Sequence, residues 1–215
     1  GLVGSEMCIR DRVDAMKDMV NAFSDYARTP ERSAREFDLN ALVRDVSELY
    51  RSGQCEVTLE LEHDLPQVMA DPDRIRQVMH NLLKNANEAC PRDEGKISVT
   101  TRLVERASRR FAELAVSDNG SGIEEKLLER LFEPYVSSKP KGTGLGLAIV
   151  RKIAEEHNGA VWAENLPERG ARIVMQIPLV APHERDDAGA RKGENAATAH
   201  TEQPLRRPSS PAREP

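Results

Sequence analysis

A glycine-rich segment that opens a helix is the feature that most constrains how this 215-residue chain can fold. Gly142-Thr143-Gly144-Leu145-Gly146-Leu147 leads directly into a predicted helix from Leu145 to His157, which Asn158-Gly159 ends. Glycines let a ligand approach the backbone closely, and the first amide groups of a helix attract anions. The spacing is not that of a P-loop, and no βαβ unit with a later acidic residue surrounds it, which disfavours a dinucleotide fold. The segment therefore predicts an anion site for a polyphosphate.

A polar stretch lies within an earlier predicted helix, from Asp73 to about Ala89. Asn81 and Asn85 are four residues apart and share one helical face, and Lys84 lies near the same rim. Amide oxygens suit a hard cation such as Mg²⁺, and an ammonium group at that rim could meet a phosphate. Taken alone, the stretch also fits an N-capping or solvated polar face.

A third motif, Asp118-Asn119-Gly120-Ser121-Gly122, directly follows an apolar strand. A carboxylate at a strand end can accept a hydrogen bond from an amino group such as that of adenine. The two glycines allow a tight turn and a close backbone approach to a ligand. As a bare pattern, however, this is also a common turn sequence.

A fourth motif, Leu131-Phe132-Glu133-Pro134-Tyr135, is followed by Ser137-Ser138-Lys139. Its aromatic residues could anchor a mobile loop, with Lys139 directed at a phosphate. On its own, the aromatic pattern favours core packing.

In their order along the chain, these motifs resemble the N box, first glycine box, F box and second glycine box of sensor histidine kinases. Those kinases belong to the ATPase superfamily that includes gyrase, the Hsp90 chaperones and MutL. The resemblance covers about residues 37 to 180 and implies that the cofactors are ATP and Mg²⁺. It implies that Asn85 is the Mg²⁺ ligand, that Asp118 reads adenine, and that Lys84 and Lys139 contact phosphate. The other nucleotide-binding residues that it implies are Asn81, Gly120, Gly122, Ile123, Phe132, Gly142, Thr143, Gly144, Leu145, Gly146 and Leu147.

One position separates hydrolases from kinases in this superfamily. The gyrase-like ATPases have a water-activating glutamate where this sequence has Asn81, and an amide cannot act as a general base. The resemblance therefore implies a protein-histidine kinase, with Asn81, Lys84 and Asn85 as catalytic residues, that transfers the γ-phosphoryl group of ATP to a histidine. The histidine would pass it to an aspartate of a response regulator. The alternatives are an anti-sigma-type serine kinase and a nucleotide-sensing module without turnover.

An amphipathic pattern from Val13 to Arg28 predicts a helix that Thr29-Pro30 ends. It resembles the second helix of the kinase dimerisation hairpin, which implies a homodimer of the full-length protein. The amino-acid sequence of residues 19–28 is similar to that of nitrogen-regulation sensor kinases. A serine kinase of the anti-sigma type would lack this helix.

Residues 1–12 look like an in-frame translation of a sequencing adapter, so we treat them as an artefact. We therefore expect the acceptor histidine, the sensor and any membrane segments to lie upstream. His63-Asp64-Leu65-Pro66 superficially mimics an acceptor motif, but its proline comes too early and it follows a predicted strand. We do not expect it to accept phosphate.

Short strands interleave with three helices, which predicts an α/β (α+β) fold: a two-layer α/β sandwich with a mixed sheet and three helices on one face. The helix of residues 13–28 and a charged linker, Glu31 to Glu36, form the segment 13–36. The ATP-binding domain is predicted at 37–181. Residues 182–215 are predicted to be disordered, because Leu205 is their only large apolar residue.

The net charge of −5 and the pI near 5.7 argue against nucleic acid or an anionic membrane as the main partner. No apolar run is long enough to span a bilayer, so we expect a cytoplasmic domain, with the full-length protein anchored in the bacterial inner membrane through upstream segments. Cys8, Cys55 and Cys90 are too scattered for a disulfide framework or a zinc site, which favours reduced thiols.

Overall fold

The computed structural model describes residues 33–51, 53–137 and 142–179. The predicted adapter residues 1–12, the helix of residues 13–28, Lys139 and the predicted disordered tail lie outside these ranges. These predictions are therefore not tested by the structure.

The described residues form seven strands and four helices in an interleaved order. The strands are β1 Arg35–Phe37, β2 Glu56–Leu61, β3 Val68–Ala70, β4 Lys96–Arg106, β5 Arg109–Asp118, β6 Ala160–Asn165 and β7 Ala171–Pro178. The helices are α1 Leu39–Glu48, α2 Pro72–Ala89, α3 Glu125–Leu128 and α4 Gly146–Glu156.

Five strands form one mixed sheet in the order β2-β4-β5-β7-β6. β2 runs parallel to β4, with Val57 opposite Ile97, and the other pairs are antiparallel. The helices α1, α2 and α4 pack on the face that carries alternate residues such as Leu114 and Met175. This arrangement confirms the predicted mixed α/β class with helices on one face of the sheet.

Two of the three long helices begin where the sequence offers a cap. The carboxylate of Asp38 accepts a hydrogen bond from the amide of Ala41 at 3.0 Å. The carboxylate of Asp71 accepts from the amides of Asp73 and Arg74, and Pro72 occupies the first turn, where no amide donor is needed. These caps fix the starts of α1 and α2.

The predicted linker was wrong at its C-terminal end. Arg35 and Glu36 belong with Phe37 to strand β1, because this segment pairs with β3, where Phe37 lies opposite Val68. The connection between β4 and β5 is a two-residue hairpin turn, which Ala107 and Ser108 close with positive φ angles.

Candidate nucleotide site

The two asparagines of α2 face the start of α4. A Cβ atom placed on Gly146 would lie 3.3 Å from Oδ1 of Asn81 and 3.9 Å from Nδ2 of Asn85. A side chain at position 146 would therefore crowd the Asn81 amide and touch the Asn85 amide. The predicted sharing of one helical face holds, and the structure brings these three residues together.

The first turn of α4 differs from those of α1 and α2, since no side chain caps it. Buried Leu145 takes the cap position, and its amide donates to Oγ1 of Thr143 at 3.4 Å. No acidic residue lies in the first turn. An uncapped helix start with amide donors and the positive end of the helix dipole suits an anion.

Two contacts join the start of α2 to the C-terminal end of α4. The amide of Asp71 donates to Nε2 of His157 at 3.0 Å, and the other ring nitrogen lies 2.8 Å from the carbonyl oxygen of Ile153. The guanidinium group of Arg74 pairs with the Glu156 carboxylate at 3.0 Å. The sequence placed His157 only at a helix end, but the structure uses it to join two helices.

Asp118 lies at the end of β5, next to the C-terminal end of α2. Its Oδ1 accepts hydrogen bonds from the amides of Gly120 at 2.8 Å and Ala171 at 3.4 Å. Gly120 has no room for a side chain, since a Cβ atom there would collide with the carbonyl oxygen of Ala89. The carboxylate is therefore held in one orientation by backbone donors.

The two asparagines and the Asp118 turn lie at different heights along α2. At about 1.5 Å of rise per residue, Asn81 lies roughly 12 Å before Ala89, which contacts that turn. An extended nucleoside triphosphate can bridge such a distance. The asparagine amides thus lie on α2 itself, and the carboxylate turn that follows β5 contacts the C-terminal end of the same helix.

The turn between β6 and β7 packs against the Asp118 turn, and sequence reasoning missed this contact. Asn165 bonds both the amide and the carbonyl group of Ile123 at 2.7 Å, and Arg169 donates to the carbonyl oxygen of Gly120 at 3.1 Å. The contacts cross 42 and 49 residues of sequence. No local pattern indicates which distant segment such a turn will touch.

Tyr135 and Gly144 lie on either side of Lys139 in the sequence and contact each other. The amide of Tyr135 donates to the carbonyl oxygen of Gly144 at 3.0 Å, and both residues have positive φ, 66° and 67°. Tyr135 is exposed, and Phe132 and Ile123 are half-buried. This hydrogen bond joins the segment resembling the F box to the segment resembling the second glycine box.

The other predicted residues lie around the same ends of α2 and α4. Lys84 is exposed on α2, Gly142 is exposed, and Leu147 is half-buried in the first turn of α4. Gly122 has a φ of 77° and lies within the turn after Asp118.

Cys90 follows the end of α2, close to Asp118. Burial, followed by the hydrogen bond with Cys55, raises the pKa of the Cys90 thiol to about 12. The thiol is therefore protonated at neutral pH and adds no negative charge beside the carboxylate. Cys55 and Cys90 are both free thiols.

The described ranges contain no group of three or more His, Cys, Asp or Glu side chains that could hold a metal ion. A site with many carboxylate or thiolate ligands is thus absent from residues 33–51, 53–137 and 142–179. The asparagine amides fit Mg²⁺, which takes few protein ligands and keeps waters and phosphates. Within these same ranges, no helix is long and apolar enough to cross a membrane.

Residues 70–181 match the family described as histidine kinase-, DNA gyrase B- and HSP90-like ATPase, so the chain belongs to this ATPase family. Its relatives include sensor histidine kinases, among them ZraS of Escherichia coli O157:H7, which is 33% identical over 77% of this chain and 36% of that protein. The chain is 38% identical over 169 residues to the nitrogen regulation protein NtrY of Azorhizobium caulinodans. That match covers 76% of this chain but 22% of NtrY, so the chain spans about a fifth of this relative's length.

Two solved histidine kinases share the fold. The catalytic domain of ThkA is 37% identical, with a TM-score of 0.60, over 68% of this chain and 95% of that domain. ThkA in complex with the response regulator TrrA matches at 31% identity and a TM-score of 0.65, over 80% of this chain and 50% of that one. Full-length ShkA in complex with AMPPNP matches at 26% identity and a TM-score of 0.69, over 81% of this chain and 38% of that one. These comparisons confirm the predicted family and fold.

Proposed function

We propose that this chain carries the ATP-binding catalytic part of a sensor histidine kinase, which transfers the γ-phosphoryl group of ATP to a histidine. The observation that carries the proposal is the pair Asn81 and Asn85, which faces the uncapped start of α4 at Gly146. The carboxylate turn at Asp118 lies further along the same helix α2. Phosphate recognition is thus supported near Asn81 and Asn85, and base recognition is supported near the C-terminal end of α2.

The proposed roles follow from the chemistry of each residue. Asn85 would hold Mg²⁺, which would neutralise phosphate charge when bound. The amides at the start of α4 would bind the phosphates, and the Asp118 carboxylate would accept a hydrogen bond from the adenine amino group. Lys84 and Lys139 would add positive charge.

Asn81 supports a kinase rather than a hydrolase. Its amide cannot take a proton from water, so the site offers no general base at the position where gyrase-like ATPases have glutamate. The site would hold ATP until a histidine reaches the γ-phosphoryl group. Transfer would then depend on positioning and charge neutralisation.

The remaining proposals concern the longer protein. We infer a response regulator as the partner, which the ThkA–TrrA complex supports. We also infer residues 37–181 as the ATP-binding domain, with homodimerisation and anchoring in the bacterial inner membrane through other parts of the protein. We further infer that the domain is cytoplasmic.

Phosphotransfer to a supplied acceptor tests the proposal. The 215-residue chain is incubated with Mg²⁺, γ-labelled ATP and a separately expressed helical hairpin that carries one acceptor histidine. We expect label on the hairpin that acid removes and alkali does not, as for a phosphorus–nitrogen bond, and no label on the chain itself.

An Asn85→Leu variant keeps the side-chain shape but removes the amide, and it should lose the transfer. Asn87→Leu is the matched control, since Asn87 lies on the same helix but two residues away, on another face. Acid-stable label would favour a serine kinase. Nucleotide binding without transfer would favour a sensing module, and stable phosphohistidine on the chain alone would contradict the proposal.

A further inference from the structure

The turn between β6 and β7 touches the residues that surround Asp118. Asn165 ends β6, and its side chain acts as both donor and acceptor toward one residue, Ile123. The Ile123 amide donates to Oδ1 and the Ile123 carbonyl oxygen accepts from Nδ2, both at 2.7 Å. A single side chain thus fixes the backbone just after residues 118–122, the turn that carries Asp118, Gly120 and Gly122 and is called the glycine turn below.

Residues 169–171 make three more contacts with the glycine turn. Arg169 donates from Nε to the carbonyl oxygen of Gly120 at 3.1 Å. Gly170, with a φ of 98°, lies so close to the carbonyl oxygen of Asp118 that a Cβ atom would collide with it. The next amide, that of Ala171, donates to Oδ1 of Asp118 at 3.4 Å. Backbone and side chain together brace the glycine turn from one side.

The bracing side chains are poorly suited to stabilising the fold itself. Asn165 and Arg169 are both exposed, so their hydrogen bonds compete with water. The segment that they hold contains Gly120 and Gly122, and glycine is the residue with the most conformational freedom to lose. Their main effect should therefore be on the geometry of the turn rather than on global unfolding.

We propose that Asn165 and Arg169 are positioning residues for base recognition. Through Ile123 and Gly120 they hold the glycine turn in place. The glycine turn then orients the Asp118 carboxylate toward the base. The preference of the site for adenine then depends on the β6–β7 turn. This inference rests on the proposed function, because it requires that Asp118 reads the base.

A comparison of two nucleotides tests it. The intact chain and its Asn165→Ala variant are titrated calorimetrically with Mg·ATP and with Mg·ITP, whose base carries a carbonyl oxygen in place of the amino group. The parental chain should prefer ATP, since a carboxylate accepts from an amino group and repels a carbonyl oxygen. Because misplacing a recognition group by a fraction of an ångström weakens its interaction, the variant should bind ATP about tenfold more weakly. Its affinity for ITP should change by less than about threefold.

A variant in the same turn and a second bracing variant complete the design. Glu168→Ala is the matched control, since this exposed residue lies beside Arg169 in the same turn, and it should leave both affinities unchanged. Arg169→Met keeps the aliphatic stem and removes the donor to Gly120, so it tests the same inference if Asn165→Ala does not fold. Thermal unfolding of each nucleotide-free variant separates loss of the fold from loss of the base preference.

The nucleotide affinities and unfolding midpoints distinguish three outcomes. A loss of preference for ATP over ITP in either bracing variant, with the unfolding midpoint little changed, supports the inference. Equal losses for both nucleotides, or no change in either, overturn it while the proposed function stands. A parental chain that binds neither nucleotide overturns the proposed function and this inference with it.

Discussion

The ion pair between Arg74 and Glu156 joins the two helices that carry the proposed phosphate site. Nε and Nη2 of Arg74 lie 3.3 and 3.0 Å from Oε2 of Glu156, and Nη1 donates to Oε1 of Gln77 at 2.7 Å. The two paired side chains are only 9% and 22% exposed. If one partner is removed, water can therefore replace few of the hydrogen bonds of the other. Arg74→Met keeps the aliphatic stem and removes all three hydrogen bonds.

The expected cost follows from this burial. Removing one partner of a fully buried pair costs about 3–5 kcal/mol, because the other charge is left without compensation. Glu156 keeps some exposure and lies 4.0 Å from the ammonium group of Lys152, so we expect a smaller loss of about 2–3 kcal/mol. For a chain of this size, such a loss lowers the unfolding midpoint by about 5–10 °C.

Thermal and urea unfolding of the nucleotide-free chain measure this loss. Arg151→Met is the matched control, because its pair with Glu155 is short, at 2.9 Å, but 55% and 62% exposed. The control should lose no more than about 0.5 kcal/mol. An Arg74→Met variant that is no more destabilised than Arg151→Met would show that burial of the pair does not set its contribution.

Three further predictions concern single residues. Gly144→Ala would place a Cβ atom 2.6 Å from the backbone of Tyr135, at a φ of 67°. The substitution should lower the free energy of unfolding by at least about 1 kcal/mol and weaken the binding of Mg·ATP. Calorimetry that finds an unchanged affinity for Mg·ATP would contradict this prediction. Burial, followed by the charge of Arg76, lowers the pKa of His80 below its usual value. The unfolded chain therefore binds a proton at His80 more readily than the folded chain does. As a result, the free energy of unfolding falls as the pH drops below the usual histidine pKa. Urea midpoints measured at about pH 7.5 and 5.5 should show that fall, and His80→Gln should reduce it; an equal fall in the variant would exclude His80 as the cause. His157→Ala removes the acceptor of the amide at the start of α2 and should lower the free energy of unfolding by about 1 kcal/mol, which chemical denaturation would detect or exclude.

Local patterns were enough to predict most of the elements. The helix predicted from Asp73 to about Ala89 is present as Pro72–Ala89, with Asp71 as its cap and Pro72 in its first turn. The helix end at Asn158 was likewise predicted, and this residue has a φ of 53°. Such features depend on neighbours within a few residues, which a single sequence contains.

Contacts between distant segments were not predictable in the same way. Strand β1 lies in a charged stretch and exists because Arg35–Phe37 pairs with β3, more than 30 residues away. The contacts of Asn165 with Ile123 span 42 residues, and that of His157 with Asp71 spans 86. Motif resemblance indicated Asn81, Asn85 and Asp118, but the residues that hold them in place required the structure. The roles of the predicted site residues, including Lys139, stay predictions.

Calorimetric titration of the intact chain with Mg·ATP, beside an Asp118→Asn variant, tests the proposed site most directly. The substitution keeps the size of the side chain and removes the charge that accepts from the adenine amino group, so charge-assisted hydrogen bonding is lost. We predict saturable one-site binding by the parental chain and at least about a tenfold loss of affinity in the variant. Absence of binding by the parental chain, or equal affinity in both proteins, would contradict a nucleotide site built around Asp118.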